Sequence, residues 1–238
     1  RARSCLFMGE LIKLDLKKKT LREVNDLLQN LDPKSNLRNY LVSNPTGNHA
    51  VCAGLKDEME VLIKGHVGYY CAGMNQKALI TIEGNVGTGV AENMMSGTVH
   101  VKGNASQSAG ATAHGGTLIV DGNTSSRCGI SMKGIDIIVK GSVGHMSAFM
   151  AQAGNMVVCG DAGEALGDSI YEAKLFVRGF VKSLGADCEE KKMNKKDLET
   201  LNSLLKKANI NNFDAKDFKM YGSARKLYNF NIDNVSEY

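Results

Sequence analysis

Aliphatic residues recur in pairs, two positions apart, and the pairs recur every nineteen residues: Val61 and Ile63, Ile80 and Ile82, Val99 and Val101, Leu118 and Val120, Ile137 and Val139, Met156 and Val158, Leu175 and Val177. Residues two apart lie on one face of a strand, so each pair predicts a short strand with a buried face. A glycine follows each pair by two positions: Gly65, Gly84, Gly103, Gly122, Gly141, Gly160 and Gly179. Glycine at the end of a strand predicts a sharp corner, where a positive φ is expected. Asn follows the corner at Asn85, Asn104 and Asn123, a residue that tolerates turns. Seven positions beyond each corner stand Ala72, Ala91, Gly110, Gly129, Ala148, Gly167 and Ala186, with Ala53 one step earlier. A column restricted to Ala and Gly predicts crowding from across an interior.

The residue before each corner points outward and reads Lys64, Glu83, Lys102, Asp121, Lys140, Cys159, Arg178. Its alternating sign fits strands stacked in parallel register, with opposite charges side by side. A repeat of this length with one core-facing strand per repeat is a solenoid signature. The prediction is an all-β solenoid with helical caps: a right-handed parallel β-helix of about seven coils of nineteen residues, the hand following from the rule for parallel crossovers. At the spacing of paired strands the rod would be roughly 34 Å long.

Open coil ends invite association unless capped, and the flanks supply candidates. Near the start, "ELIKLDL" alternates like a strand, and "TLREVNDLLQNL" opens with a capping box, Thr20 to Glu23. Leu21, Val24, Leu28 and Leu31 mark one helical face. Beyond the repeats, Asn194 is a candidate N-cap for a helix with Leu198, Leu201, Leu205 and Ala208 on one face. The division expected is a strand and helix cap over residues 1–45, the β-helix over 46–187, and a helix with a docking tail over 188–238. The tail is polar, aromatic and irregular, and reads as a segment lying on a surface, its own or a partner's. Tyr221, Arg225, Lys226, Tyr228 and Phe230 are its candidate docking residues.

Composition narrows the class. The chain has 238 residues, with 26 Gly, two Pro and no Trp, which suits neither a disordered chain nor collagen. A net charge of +4 does not call for a nucleic-acid partner. Six Cys without a C-x-x-C pair signal neither a zinc knuckle nor a thioredoxin-type site. No apolar stretch of secretory or membrane-spanning length occurs, so a cytoplasmic protein with reduced thiols is expected and the sequons at Asn104, Asn123 and Asn234 read as chance. Met8 is a candidate original start, behind residues 1–7.

Candidate chemistry is weighed against bland alternatives. Cys52, Cys71 and Cys128 fall in one column, which raises an iron–sulfur or metal site. Cys128 lies three coils beyond Cys71, roughly 14 Å, so small interior packing is the better reading. His49, His66, His100, His114 and His145 occupy different columns and form no metal motif; an isolated His such as His114 leaves an acyltransferase or zinc role open. Asp161, Glu164 and Asp168 could serve a calcium-dependent lyase, but they lack a basic neighbour group and read as turn residues. "GNVGTGVAEN" from Gly84 contains Gly87-x-Gly89 but has Glu92 where a dinucleotide fingerprint needs glycine. "GSARK" from Gly222 is a weak nucleic-acid signal beside a docking reading. A scaffold without a convincing catalytic constellation is itself a hint that the rod holds other parts.

The coils from about residue 50 to 186, through "VLIKGHVGYYCAGM", "ITIEGNVGTGVAENMMSG" and "IIVKGSVGHMSAFMAQAG", resemble the GXGXG β-helix domain of the glutamate synthase large subunit and its free-standing relatives, including the β-helix scaffold subunit of formylmethanofuran dehydrogenase. The literal G-x-G spacing occurs at Gly87 and Gly89. The flanks "KLDLKKKTLREVNDLL" and "YGSARKLYNFNIDN" look like the stand-alone glutamate-synthase-like subunit of N-methylglutamate synthase. That resemblance implies a non-catalytic structural subunit, without a cofactor or metal of its own. It would sit in a hetero-oligomer between an amidotransferase-like chain and an FMN-bearing chain, with an iron–sulfur cluster a further expectation for a partner. The implied reaction forms N-methylglutamate from methylamine and glutamate, releasing ammonia, whose route the rod would border. Two other roles stay open: the formylmethanofuran dehydrogenase scaffold, and an autonomous β-helix transferase or lyase, for which His114 or Asp161 would be essential.

Overall fold

Nine parallel strands follow one another in chain order across one continuous sheet. The computed structural model describes residues 10–32 and 36–225. The strands are β1 (Leu11–Asp15), β2 (Asn39–Ser43), β3 (Glu60–Lys64), β4 (Leu79–Glu83), β5 (Thr98–Val101), β6 (Thr117–Val120), β7 (Lys133–Val139), β8 (Ala153–Val158) and β9 (Lys174–Val177). From β3 to β9 the register advances by nineteen, pairing Val61 with Ile80, Ile80 with Val99, and onward to Met156 with Leu175. The predicted pairs are the core: all fourteen, from Val61 to Val177, are 0% exposed. β1 and β2 join the same ladder, so it starts well before the first regular repeat.

After each corner a second inward row stacks, Val67 on Val86 on Ala105 on Thr124, then Val143 on Ala162 on Val181. The third side of each coil has alternating backbone. Tyr70, Ala72 and Met74 have φ of +61°, +56° and +56°, and the pattern repeats at Ser108, Gly110 and Thr112 and in later coils. A left-handed conformation costs a residue with a Cβ roughly 1–2 kcal/mol. The hydrogen bonds it permits offset that: Tyr70 and Met74 donate N–H forward to Thr88 O and Glu92 O (both 2.8 Å), and Ala72 donates back to Val51 O (3.0 Å). The middle residue of each trio is the predicted Ala/Gly column. A Cβ on Gly110 would meet Ile137 Cδ1 at 2.7 Å, so interior side chains do crowd it.

The corner glycines have a different reason from the one expected. Only Gly65 among the seven has a positive φ, +130°. At the other six, a Cβ would run into the coil below. On Gly122 it would lie 2.8 Å from Gly103 O and closer still to Asn104 Oδ1. Stacking, not backbone conformation, excludes a side chain there.

Coil length also varies, which moves Cys52, Ala53 and Ala186 out of their predicted columns. Ala72 N bonds Val51 O, whereas Ala91 N bonds Cys71 O and Ala148 N bonds Cys128 O. Val51 is therefore in the Cys71 row, and Cys52, at φ +56°, belongs with Ala72. At the far end Leu166 pairs with Leu184, eighteen residues on, so Gly185 follows Gly167 and Ala186 is exposed.

The helices form where the caps predict. Thr20 and Glu23 make the capping box of α1 (Leu21–Gln29), which buries Val24 and Leu28. α1 lies across the first turn and replaces the missing coil. Asn25 Nδ2 donates to Ala50 O (2.9 Å), Asn25 Oδ1 accepts from Cys52 N (3.0 Å), and Gln29 Nε2 donates to Ala53 O (2.7 Å). Asn194 caps α2 (Lys195–Lys207) together with Asp197. α2 covers the flank of the ladder. Its Leu201, Leu204 and Leu205 pack with outward-facing Ile119, Ile138, Val157, Cys159 and Phe176. Lys174 Nζ holds the buried Asp197 at 2.5 Å. Beyond β9 the strand side is closed by β10 (Cys188–Lys191) and β11 (Lys219–Ser223), with β11 inserted antiparallel between β9 and β10.

Candidate functional site

Polar side chains along the corner edge form a ladder of their own. Asn85 N donates to His66 Nδ1 (2.9 Å), Asn104 N to Asn85 Oδ1 (2.8 Å), and Asn123 N to Asn104 Oδ1 (2.8 Å). The series continues with Ser142 N to Asn123 Oδ1 (2.8 Å), Asp161 N to Ser142 Oγ (2.9 Å) and Phe180 N to Asp161 Oδ1 (2.7 Å). Each side chain satisfies a backbone N–H of the next coil at a corner where the strand ladder breaks. This explains the Asn column better than turn tolerance does. It also places two of the weighed residues, His66 and Asp161, in structural positions.

The other candidates are similarly engaged. His49 Nδ1 accepts from Tyr69 N (2.8 Å), and its ring stacks on Tyr69 at 4.4 Å between centroids. Asp168 Oδ2 accepts from Ala186 N (3.0 Å), and Glu164 pairs with Lys182 at the surface (2.7 Å). The structure does not bring Asp161, Glu164 and Asp168 together around one point; each serves its own neighbour. His114 and His145 are exposed on separate coils. Gly87 and Gly89 lie inside the repeat, and a Cβ on Gly87 would strike Gly68 backbone.

The cysteines are interior. Cys52, Cys71 and Cys128 are fully buried, and burial pushes the Cys71 and Cys128 thiols up to about 12. Such thiols stay protonated and are poor nucleophiles and metal ligands. Among the described residues, no three His, Cys, Asp or Glu side chains are grouped so as to hold a metal ion. Cys159 stands in the outward column yet is 2% exposed, because the C-terminal segment covers it.

One charged cluster does form. Asp121 lies between His100 Nε2 (2.8 Å), Lys140 Nζ (2.8 Å) and Lys102 Nζ (3.5 Å). Burial alone would raise its pKa, but the hydrogen bonds from His100 and Lys140 outweigh that and hold it well below the usual carboxylate range. Lys102, Asp121 and Lys140 are the part of the alternating column that pairs. With one carboxylate shared between lysines of the coils on either side of it, the arrangement braces three coils.

One surface open to contact lies at the C-terminal end. An open cleft of about 360 Å³ is lined by Tyr171, Lys174, Lys191, Tyr221, Ser223 and Arg225, among others. Tyr221 is not a surface docking residue: it is in β11, 6% exposed, packed into the solenoid core. Arg225 is half exposed and ion-paired with Asp187. Lys226, Tyr228 and Phe230 lie outside the described residues. Sequence reasoning missed the α2 seat, although the outward residues change from Thr81 and His100 to Ile119, Ile138, Val157 and Phe176 just where the helix lands.

Fold and placements together define a parallel β-solenoid whose notable polar groups hold coil to coil. The chain is 59% identical over 225 residues to Protein GlxC of Rhizobium meliloti (strain 1021), covering 94% of this chain and 99% of that protein. It belongs to the family of that protein. No family model matches the chain.

Proposed function

We propose that the chain is a non-catalytic structural subunit of a glutamate-synthase-like complex, most specifically of N-methylglutamate synthase type. In that role it holds an amidotransferase-like chain and an FMN-bearing chain in one cytoplasmic hetero-oligomer. The flavin, and an iron–sulfur cluster where present, belong to a partner. The reaction joins methylamine to glutamate-derived carbon as N-methylglutamate and releases ammonia. The observation that carries this reading is the engagement of His49, His66, Asp161 and Asp168 in capping backbone N–H groups of neighbouring coils. Groups committed to a rod's own backbone are poorly placed to move protons for a substrate. The repeat and flank motifs that resemble the glutamate synthase β-helix support the rest.

The test is a gentle affinity capture of the tagged chain from its own cells, with mass spectrometry and an absorbance spectrum of the eluate. An amidotransferase-like chain and a yellow flavoprotein are expected, and the purified assembly should form N-methylglutamate from methylamine and glutamate. Turnover by the isolated chain, or a colourless self-associated chain, would overturn the proposal.

A further inference from the structure

Away from its two ends, the rod shows large apolar side chains to solvent on one side. Among the described residues ten such side chains are exposed, and five of them lie between the ends: Tyr69, Met74, Met95, Met150 and Tyr171. All five belong to the third side of the coil or to its edges. Met74 and Met150 are left-handed residues within it, and Tyr69 leads into it beside Tyr70. Met95 and Tyr171 follow it, where the chain turns back towards the strand. By contrast, the strand flank is covered in part by α2, and the corner edge is a polar ladder. Exposed Tyr and Met on one face have the composition of a contact surface.

This side also holds a carboxylate without a partner. Tyr70 is fixed in place: its ring lies flat over Gly73, where a Cβ would strike it, and its hydroxyl accepts from Asn93 Nδ2 (3.5 Å). Thr112 holds Asn93 in turn. One coil on, the Tyr70 row carries Gly89, which leaves a notch. Glu92 leans into the notch. A Cβ on Gly89 would lie 2.7 Å from Glu92 Oε2 and 3.7 Å from Tyr70 Cδ2, so the carboxylate and the ring edge share that space. Among the described residues no hydrogen bond or ion pair engages the Glu92 carboxylate. Burial raises its pKa, and no neighbouring charge offsets this. A half-buried acid beside a fixed aromatic ring is complementary to a flat cation, which stacks on the ring and bonds the carboxylate in one pose.

We propose that this side is the docking face for a partner protein that presents an arginine among apolar side chains. The guanidinium seats between Tyr70 and Glu92, and Tyr69, Met74 and Met95 take the apolar surround. The proposal rests on the reading of the rod as a subunit that holds other chains, and it names the side by which one of them is held.

Capture of the tagged full-length chain from its own cells tests it, with the co-purifying chains quantified by mass spectrometry. Glu92→Gln keeps the shape and removes the charge; Met74→Asp breaks the apolar surround. Each should lower recovery of one partner chain at least about tenfold, with circular dichroism like that of the parent, whereas Lys64→Glu on the strand flank should leave recovery unchanged. A photoreactive side chain at Met95 should cross-link to that same partner beside an arginine. Unchanged recovery in both variants overturns the proposal, as do cross-links from Lys64 but not from Met95, or cross-links only to a second copy of this chain. With partners still captured, those results leave the reading as a complex subunit standing. A parent chain that captures no partner overturns both.

Discussion

Replacing Gly122 with alanine separates two reasons for a glycine at the corner. If backbone conformation were the only constraint, alanine would be harmless, because the φ of Gly122 is outside the left-handed region. Reduced freedom of the unfolded chain would even stabilise by about 0.4–1 kcal/mol. The packing says otherwise. The new Cβ would lie 2.8 Å from Gly103 O, 3.0 Å from Asn104 Cγ and nearer to Asn104 Oδ1. The two coils must part, an overpacking cost of about 1–3 kcal/mol, and Asn104 must swing away and give up its bond to Asn123 N, about 1 kcal/mol. The sum is a loss of roughly 2–4 kcal/mol, or about 5–15 °C in Tm for a domain of this size. Thermal and urea unfolding followed by circular dichroism measure it. Asn104→Ala removes the side-chain part of the clash, so the double variant should cost about 1 kcal/mol less than the sum of the singles. A Gly122→Ala protein as stable as the parent, or a strictly additive double variant, would refute the stacking argument.

Three further outcomes follow from the same geometry. Asn25→Ala removes both bonds by which α1 satisfies Ala50 O and Cys52 N, and should lower stability by about 2 kcal/mol in urea titration. Asp121→Asn should cost about 1–2 kcal/mol at neutral pH, after screening. Because the carboxyl is held low in the fold, its contribution is complete above the ordinary value of about 3.9 and is lost as pH falls from there. The parent and variant unfolding curves should therefore converge in acid. With their thiols at about 12, Cys71 and Cys128 should resist a thiol reagent at pH 8 until denaturant is added; labelling of either in the native protein, read by mass spectrometry, would contradict their burial.

What the linear sequence determined by itself was the coil. A period of nineteen, aliphatic pairs two apart and a glycine after each pair define a strand and a corner, and repetition forces the strands to stack because no single coil can bury its own face. The capping box at Thr20 and the N-cap at Asn194 were legible for the same reason, because they depend on residues only a few positions apart. Only the tertiary structure decided why the corners are glycine, since the atom that excludes a side chain from Gly122 is an amide oxygen eighteen residues earlier in a neighbouring coil. It also decided the displacement of Cys52 and Ala186, because one residue more or less in a coil shifts every later row. Tyr221 is buried because β11 threads back between β9 and β10, a long-range antiparallel insertion that no local pattern encodes. Local spacing specifies each coil; what touches what between coils depends on three-dimensional register.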